Sequence, residues 1–523
     1  MDLIIKNGYV IDGTGRKGYF SDIAIDKGRI LGIGDYKDKN VDQVIDAKGL
    51  VVTPGFIDIH SHSDWRIFST LQCENVIRQG ITTEIVGHCG DSAYPVTNNK
   101  VQEIYDYFKT QKMDKALIDW KSTKEFWSRV EEVGISHNIA FLVGHGTVRL
   151  NVMGYDNRKP TYDELKKMKI LIEEAMEAGA LGMSSGLPYP PGMYADTKEI
   201  VELCNVVKKY NGVYCTHLRN QGNRLIEAVK EAIEIGKSAR VPVNISHLKA
   251  SDKENWGKVY EAVKIIDEAR EQGLNIICDV YPYVAASNPL SAELPGWICE
   301  GGMDELTNKL KDKSVLNKLK YEMPKADDEI WDLIYICDLE RKEEREYIGK
   351  SIKNISKFEN IHPVDLICKL LIDNRNNIQV NVICMNEEDV KYVLSYKYSS
   401  IGADGGVFIT DGYSGHPRAF GTFPAFIGRY IREEKLVSIE EGIRKITSMP
   451  AEFMGINDRG IIEEGRYADL VIFDFDKIID KATYKYPALY PEGIEYVIVN
   501  GVIQVERSRF MKLPIGKIIS RNK

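Results

Sequence analysis

Two histidines separated by one residue, His60 and His62, indicate the chemistry that this sequence could support. They follow the run Thr53-Pro-Gly-Phe-Ile-Asp-Ile-His60, which has the composition of a buried strand. Side chains alternate between the two faces of a strand, so positions i and i+2 point the same way. Two neutral imidazoles converging from one strand end supply half of a tetrahedral zinc shell. The pair therefore predicts a metal centre suited to hydrolysis, to which other strands add ligands.

Further side chains that can bind a metal lie at the ends of apolar runs downstream. They are Cys89, His145, His217, His247 and Asp404. In a barrel of parallel strands the functional groups lie at the carboxyl ends of the strands. Unpaired polar groups buried there carry a penalty of roughly 1 to 3 kcal/mol each, and metal binding removes it. We therefore interpret these side chains and the two histidines as candidates for one metal centre.

Eight short apolar runs, most of them followed by a segment of helical periodicity, must position these residues. The runs are expected to end at His60, near Cys89, at His145, near Ser185, at His217, at His247, near Tyr283 and at Asp404. The intervening helices include residues 161–177, 197–210, 224–239 and 258–272. Eight alternating strand and helix units predict an α/β fold and favour a closed (β/α)8 barrel of the TIM type over an open sheet.

Two pieces lie outside this barrel, which we assign to residues 55–455. Residues 1–54 and 456–523 have the pattern of short strands and turns, and we expect the two chain ends to form one small sheet or β-sandwich together. Residues 286–375 lengthen the passage from the seventh strand to the eighth and are rich in Lys, Asp and Glu. We interpret them as a mostly helical inserted subdomain, placed where it could serve as a lid.

Composition narrows the classes of partner. The 523 residues carry a formal net charge of -8 without a basic stripe, which argues against nucleic acid. The first residues, Met1-Asp-Leu-Ile-Ile-Lys6, are charged and lack the apolar stretch of a signal peptide or membrane span. Nine scattered cysteines without a Cys-x-x-Cys pair suit a reducing compartment. We expect a cytoplasmic protein with no membrane partner; the sequence leaves its oligomeric state open.

Ten motifs distributed along the chain carry a resemblance to a known family. They are Asp12-Gly-Thr-Gly15, the segment 53–64, Gly87-His-Cys-Gly90, Gly144-His-Gly-Thr-Val-Arg149, Ser185-Gly-Leu-Pro-Tyr-Pro-Pro-Gly192, Thr216-His-Leu-Arg219, Ser246-His-Leu-Lys249, Gly402-Ala-Asp-Gly405, His416-Pro-Arg-Ala-Phe-Gly-Thr-Phe-Pro424 and Gly465-Arg-Tyr-Ala-Asp-Leu470. Together they resemble the D-aminoacylase (N-acyl-D-amino-acid deacylase) family of the amidohydrolase superfamily. The His-x-His pair alone indicates only the superfamily, whereas the cysteine and the His-Pro-Arg-Ala-Phe-Gly block indicate this branch.

The resemblance implies zinc-dependent hydrolysis of the amide bond of N-acyl-D-amino acids, which gives a carboxylate and a free D-amino acid. One tightly bound zinc would be held by Cys89, His217 and His247. A second, weaker position would be lined by His60, His62 and Asp404. Cys89 could bridge the two, because a thiolate is a strong zinc ligand and partly neutralises the ion. Asp404 would be the catalytic residue, taking a proton from zinc-activated water and passing it to the leaving amine.

The free carboxylate of such a small-molecule substrate needs cations or hydroxyl groups in the site. Lys249 follows His247 by two positions and should point into the same mouth, and Arg418 could pair with a carboxylate through two hydrogen bonds. Tyr283 and Tyr189 could add hydroxyl donors. The resemblance favours Lys249, Tyr283 and Arg418 for this role.

Some residues depart from the family pattern or remain outside the ligand set. Gln221 stands where relatives usually have Glu, which removes a negative charge near the ligands. His88 precedes Cys89 and should face away from it, so we expect a packing role, and His145 could support a metal ligand from behind.

Two alternative functions stay open: a cyclic-amide hydrolase of the hydantoinase or dihydroorotase kind, and a catalytically inactive scaffold. The first usually needs a carboxylated lysine, and no lysine ends the second, third or fourth predicted strand.

Overall fold

The computed structural model describes residues 1–36, 41–68, 70, 73–97, 100–108, 118–408 and 415–521. Its strands, in chain order, are β1 (Leu3–Val10), β2 (Tyr19–Asp26), β3 (Arg29–Gly34), β4 (Gln43–Asp46), β5 (Val51–Pro54), β6 (Phe56–Asp58), β7 (Ile81–Val86), β8 (Asn138–Gly144), β9 (Gly182–Gly186), β10 (Val213–His217), β11 (Val243–Ile245), β12 (Ile276–Val280), β13 (Ala285–Pro289), β14 (Ile334–Leu339), β15 (Ile378–Ile383), β16 (Ser399–Ile401), β17 (Leu470–Phe473), β18 (Ile494–Val499), β19 (Val502–Glu506), β20 (Arg509–Phe510) and β21 (Ile518–Ile519).

The α-helices are α1 (Glu74–Ile77), α2 (Val101–Phe108), α3 (Thr123–Val133), α4 (His145–Met153), α5 (Tyr162–Ala178), α6 (Thr197–Lys209), α7 (Leu225–Ala239), α8 (Lys258–Glu271), α9 (Met303–Lys309), α10 (Lys313–Glu322), α11 (Ile352–Glu359), α12 (Pro363–Asp373), α13 (Glu387–Ser395), α14 (Arg418–Ala425), α15 (Ile439–Lys445) and α16 (Ser448–Met454). Short 3-10 helices span Ser63–Trp65, Gly192–Tyr194, Lys253–Asn255, Leu290–Glu293, Gly296–Cys299, Glu329–Asp332 and Lys342–Tyr347, and a π-helix continues α14 over Phe426–Glu433. Within the described ranges, none of these helices has the length and apolarity that crossing a membrane would require.

Eight parallel strands form the barrel, in the order β6, β7, β8, β9, β10, β11, β12 and β16. A parallel bridge between Ser61 and Gly405, just past the ends of β6 and β16, joins the last strand to the first. The barrel strands are buried throughout, as parallel strands covered by helices must be; all seven residues of β8 are buried. The predicted barrel is confirmed: each predicted strand ends within three residues of its expected position.

The helices around the barrel follow from local signals in the sequence. Helix α5 begins with a capping box in which Thr161 and Glu164 satisfy each other's backbone N–H groups. Its buried face includes Met168, Ile172 and Met176, which are spaced four residues apart. This spacing places the three side chains on one side of the helix, which packs on the barrel. Helices α5 to α8 lie within one residue of the predicted bounds.

The two ends of the chain combine in one sheet, as the sequence predicted. Strands β1 to β5 and β17 to β20 form nine strands in the order β20-β19-β18-β17-β5-β1-β2-β3, with β4 beside β1. The two ends meet where β5 pairs antiparallel with β17. The last residues depart from the prediction, because β21 pairs with β8 of the barrel instead of joining this sheet. The domain boundaries at residues 54/55 and 455/456 stay a prediction.

The insert between β12 and β16 contains helices α9 to α12, but it also contains a sheet that the prediction missed. Strands β13, β15 and β14 pair antiparallel in that order, and β15 extends the insert beyond the predicted end at residue 375. The sequence of β13, Ala-Ala-Ser-Asn-Pro, has no apolar alternation, so periodicity could not identify it. Trp331 and Ile336 lie in a hydrophobic core that belongs to this insert.

Candidate active site

Four predicted ligands converge at the carboxyl ends of the barrel strands. The Cys89 Sγ atom lies 3.5 Å from His60 Nε2, 3.6 Å from His217 Nδ1 and 3.6 Å from His247 Nε2. All four side chains are buried. The thiol thus contacts histidines from both predicted metal positions: His217 and His247 from the first, and His60 from the second.

Asp404 occupies the other side of this cluster. Its Oδ1 atom lies 3.4 Å from His60 Nε2 and 3.2 Å from His62 Nε2, while Oδ2 lies 2.7 Å from Arg418 Nη1. The backbone fixes this position, because the Asp404 N–H donates to the His60 carbonyl at 2.8 Å. The carboxylate therefore faces the imidazoles with one oxygen and a cation with the other.

The donor set fits a zinc ion. Sulfur at about 2.3 Å and nitrogen at about 2.0 Å around a tetrahedral ion lie roughly 3.5 Å apart, as do the ligand atoms here. The ligand atoms of His60, Cys89, His247 and Asp404 all lie within 4.8 Å of one another. Burial lowers the pKa of His217 and of His247 well below the usual range, so these rings are neutral and can donate a lone pair.

The ionisation of the two acidic members differs. Burial raises the pKa of the Cys89 thiol well above its usual range, so a metal must displace its proton. Burial also raises the pKa of Asp404, but Arg418 and the rings of His247 and His60 outweigh that effect, and the pKa lies well below its ordinary value. The carboxylate is therefore ionised at neutral pH.

Backbone strain accompanies the convergence of these side chains. Cys89, His247 and Asp404 have φ angles of 53°, 36° and 49°, in the left-handed region that side chains other than glycine rarely adopt. Such strain costs of order 1 to 3 kcal/mol per residue and is typical of functional sites. Three strand ends thus turn sharply to aim a ligand inward.

Asp279 fixes the histidines from behind, and the sequence analysis missed it. Its Oδ1 atom lies 3.1 Å from His60 Nδ1 and accepts the His247 backbone N–H at 2.8 Å. Its Oδ2 accepts the Asn244 side-chain amide at 2.6 Å. A proton on Nδ1 of His60 would leave Nε2 free for a metal. A single carboxylate in the apolar run Ile-Ile-Cys-Asp-Val of β12 was the available signal.

Two further residues contact the ligands. The terminal amide of Gln221 lies 3.1 Å from His247 Nδ1, so the residue that departs from the family pattern touches a ligand directly. The His88 ring stacks on His60 with centroids 4.1 Å apart, which is the packing role that its position predicted. His145 contacts Glu199 on α6, with 2.9 Å between Nε2 and Oε1, so the contact that the structure gives it is not to a metal ligand.

A cavity of 430 Å³ opens over the cluster, and three of the four predicted substrate-binding residues line it: Tyr189, Lys249 and Arg418. The Tyr189 ring meets His217 edge-on at 4.9 Å. Burial lowers the pKa of Lys249, whose Nζ lies 3.1 Å from His247 Nδ1. The Nη1 atom of Arg418 lies 2.7 Å from Asp404 Oδ2, so the two side chains form an ion pair in the cavity lining.

The structure places the fourth predicted substrate-binding residue, Tyr283, outside this lining. Its hydroxyl donates to Asp480 at 3.2 Å and the residue is not part of the cavity lining among the described residues. Tyr281 lines the cavity instead, and its hydroxyl is buried with no partner in the parts of the chain that are described. The chain leaves the strand after Val280, and sequence alone could not say which of the two tyrosines turns inward.

Comparisons with known proteins agree with the geometry. The amidohydrolase family model matches residues 43–304 and 399–505. A D-aminoacylase from Alcaligenes xylosoxydans xylosoxydans is 31% identical over 99% of this chain and 98% of its own length. The N-acyl-D-glutamate deacylase from Bordetella bronchiseptica, solved with zinc and a phosphonate mimic of the tetrahedral intermediate, is 28% identical, with a TM-score of 0.83 and 99% of both chains covered.

A second solved structure is that of a D-aminoacylase. It is 29% identical and has a TM-score of 0.83 over 99% of both chains. That D-aminoacylase has a binuclear metal centre, with activation by one metal and attenuation by the second. Sequence, fold and ligand geometry lead to one conclusion: the chain belongs to the D-aminoacylase branch of the amidohydrolase family.

Proposed function

We propose that this protein is a zinc-dependent deacylase that hydrolyses N-acyl-D-amino acids to a carboxylate and a free D-amino acid. The observation that carries the proposal is the position of the Cys89 Sγ atom, within 3.6 Å of three imidazole nitrogens and beneath a substrate-sized cavity. The preference for the D isomer rests on the relatives, whose names specify D-amino acids.

Cys89, His217 and His247 would hold one zinc tightly, and His60, His62 and Asp404 would line a weaker second position. Contacts of Cys89 with both groups support a bridging thiolate. When bound, zinc would supply an activated water and polarise the amide carbonyl.

Asp404 would move the proton. The ionised carboxylate accepts a proton from the attacking water as the new C–O bond forms at the carbonyl carbon. It then delivers that proton to the amide nitrogen, because an amine leaves poorly unless it is protonated. The C–N bond breaks, and the products are a carboxylate and an amine.

Lys249 and Arg418 would hold the free carboxylate of the substrate. Both are buried basic side chains in the cavity lining, and an arginine can bind a carboxylate through two hydrogen bonds. The Tyr281 hydroxyl adds a third donor to this set. A substrate bound in this way would present its amide to the metal cluster.

The test is to purify the protein, measure zinc per chain, and assay N-acetyl and N-formyl derivatives of D- and L-amino acids beside hydantoin and dihydroorotate. Release of free D-amino acid by the zinc-loaded protein supports the proposal. Turnover of the cyclic amides alone, or of L-isomers alone, contradicts it. We also propose a cytoplasmic location, which the nine free thiols support.

A further inference from the structure

The lining of the cavity over the metal cluster contains two chemically different groups of residues. Lys249 and Arg418 contact the residues of the metal cluster. Glu293 and Asp252 also line the cavity, together with the amide of Asn288, and we call these three residues the acidic wall. Glu293 and Asn288 belong to the insert, on the 3-10 helix Leu290–Glu293 and on β13. The insert thus supplies one wall of the substrate cavity.

Glu293 is the central member of the acidic wall. Burial raises its pKa to about 7, and the neighbouring Asn288 side chain acts in the opposite direction. Across the parts of the chain that are described, no lysine or arginine forms an ion pair with Glu293 or with Asp252. Glu293 is half-buried and Asp252 is exposed. A carboxyl group taken partly out of water is costlier to ionise, and a bound cation would offset that cost.

A chain of contacts links Glu293 to the metal cluster. Asn288 receives the Tyr189 hydroxyl at 3.2 Å, and the Tyr189 ring packs against the ligand His217. Asp252 stands at the exposed rim and follows Lys249 by three residues, and its backbone N–H donates to the Cys384 carbonyl at 2.9 Å. A substrate that reaches from the metal past Tyr189 would therefore place its far end against Glu293.

Two pairs of charged residues in the lining combine opposite charges. Arg418 pairs with Asp404, and Arg66 interacts electrostatically with Asp338. Asp91 acts on the Cys89 thiol, which places it near the metal cluster. Glu293 and Asp252 have no ion pair with a lysine or arginine of the described ranges, so a ligand would have to supply the positive charge there.

We infer that the preferred substrates are N-acyl-D-amino acids whose side chain ends in a cation, such as D-lysine, D-ornithine or D-arginine. This inference rests on the proposed function, and it assigns Glu293 and Asp252 as the residues that determine side-chain specificity. An acidic side chain would meet two carboxylates at this wall, and an apolar one would leave the Glu293 carboxylate without a cation.

The experiment compares kcat/KM of the zinc-loaded protein for N-acetyl-D-lysine, N-acetyl-D-norleucine and N-acetyl-D-glutamate. Norleucine matches the lysine chain without its charge. A hydrogen-bonded charge pair predicts a preference of about tenfold or more for lysine over norleucine. Glu293→Gln should reduce that ratio several-fold, chiefly by lowering kcat/KM for the lysine derivative, and added salt should reduce the ratio for the wild-type protein.

Glu254→Gln is the matched control, because Glu254 is exposed beside Asp252 and does not line the cavity in the part of the chain described. It should leave the ratio unchanged. A preference for norleucine or glutamate overturns the inference, as does an equal effect of Glu293→Gln on all three substrates. Absence of turnover with every N-acyl-D-amino acid overturns the proposed function, and the inference with it.

Discussion

Arg418 and Asp404 form an ion pair at 2.7 Å in the wall of the cavity, where each is less than a tenth exposed. The pair joins the residue proposed to move the proton to the residue proposed to bind the substrate carboxylate. Because a guanidinium carries five N–H donors, a substrate carboxylate could bind Arg418 without displacing Asp404.

Asp404→Asn should nearly abolish turnover, because an amide cannot accept the proton of the attacking water. A loss of roughly 10²- to 10⁴-fold in kcat is expected for a missing general base. The tightly bound zinc should remain, since Cys89, His217 and His247 are unchanged. Steady-state kinetics and metal analysis of the same preparation check both parts, and a variant that works at nearly the wild-type rate would exclude Asp404 as the proton carrier.

Arg418→Gln should move the acid limb of the kcat/KM profile to higher pH. Arg418 lowers the pKa of Asp404, so its removal raises the pH at which the carboxylate becomes protonated and inactive. KM should rise about tenfold or more, because a paired contact to the substrate carboxylate is lost. Arg418→Lys restores the charge without the two-pronged geometry, so it should restore the acid limb but not KM. An unshifted acid limb in Arg418→Gln would contradict this assignment.

Zinc affinity should rise with pH, by about tenfold per unit between about pH 6 and 8. Burial raises the Cys89 pKa and lowers those of His217 and His247, so the free protein holds a protonated thiol beside neutral rings. Each zinc ion then displaces about one proton on binding. Competition with a chelator at several pH values measures the slope. Cys204→Ala removes a buried thiol on α6 and should leave the slope of zinc affinity against pH unchanged. Cys89→Ala should lose the tight zinc site. A pH-independent zinc affinity of the wild-type protein would refute the prediction.

Gln221→Glu should tighten zinc binding by about tenfold. A carboxylate beside His247 Nδ1 would accept its proton and make Nε2 the more basic donor toward the metal. Gln221→Ala removes the amide donor without supplying an acceptor for the Nδ1 proton, so it should not tighten zinc binding as Gln221→Glu does. The zinc dissociation constants of the wild-type protein and the two variants test this prediction. Equal values would show that the contact at 3.1 Å does not affect how strongly His247 binds zinc.

The barrel could be predicted because its signals are local. Each strand is a short apolar run, and a ligand such as His217 or His247 stands where that run ends. The terminal sheet was predictable for the same reason, since its strands alternate and its turns carry glycine. Motif positions then identified six candidate ligands that the structure brings to one end of the barrel.

The errors concern features that depend on three-dimensional contacts. Whether Tyr281 or Tyr283 faces the cavity depends on how the chain turns after β12. Strand β21 lies apart from the terminal sheet because it pairs with the first residues of β8. Asp279 acts through the backbone N–H of His247, a residue 32 positions away, which no local pattern encodes.

The pairing of Thr53 with Val471 has a consequence for how the protein is made. These positions are 418 residues apart, so at 5 to 20 residues per second the ribosome needs about 20 to 80 s to deliver the partner of β5. During that interval the edge of β5 is exposed and able to pair with another chain. Nascent chains that stall before residue 470 should therefore aggregate, and chaperone demand should fall once the final strands emerge.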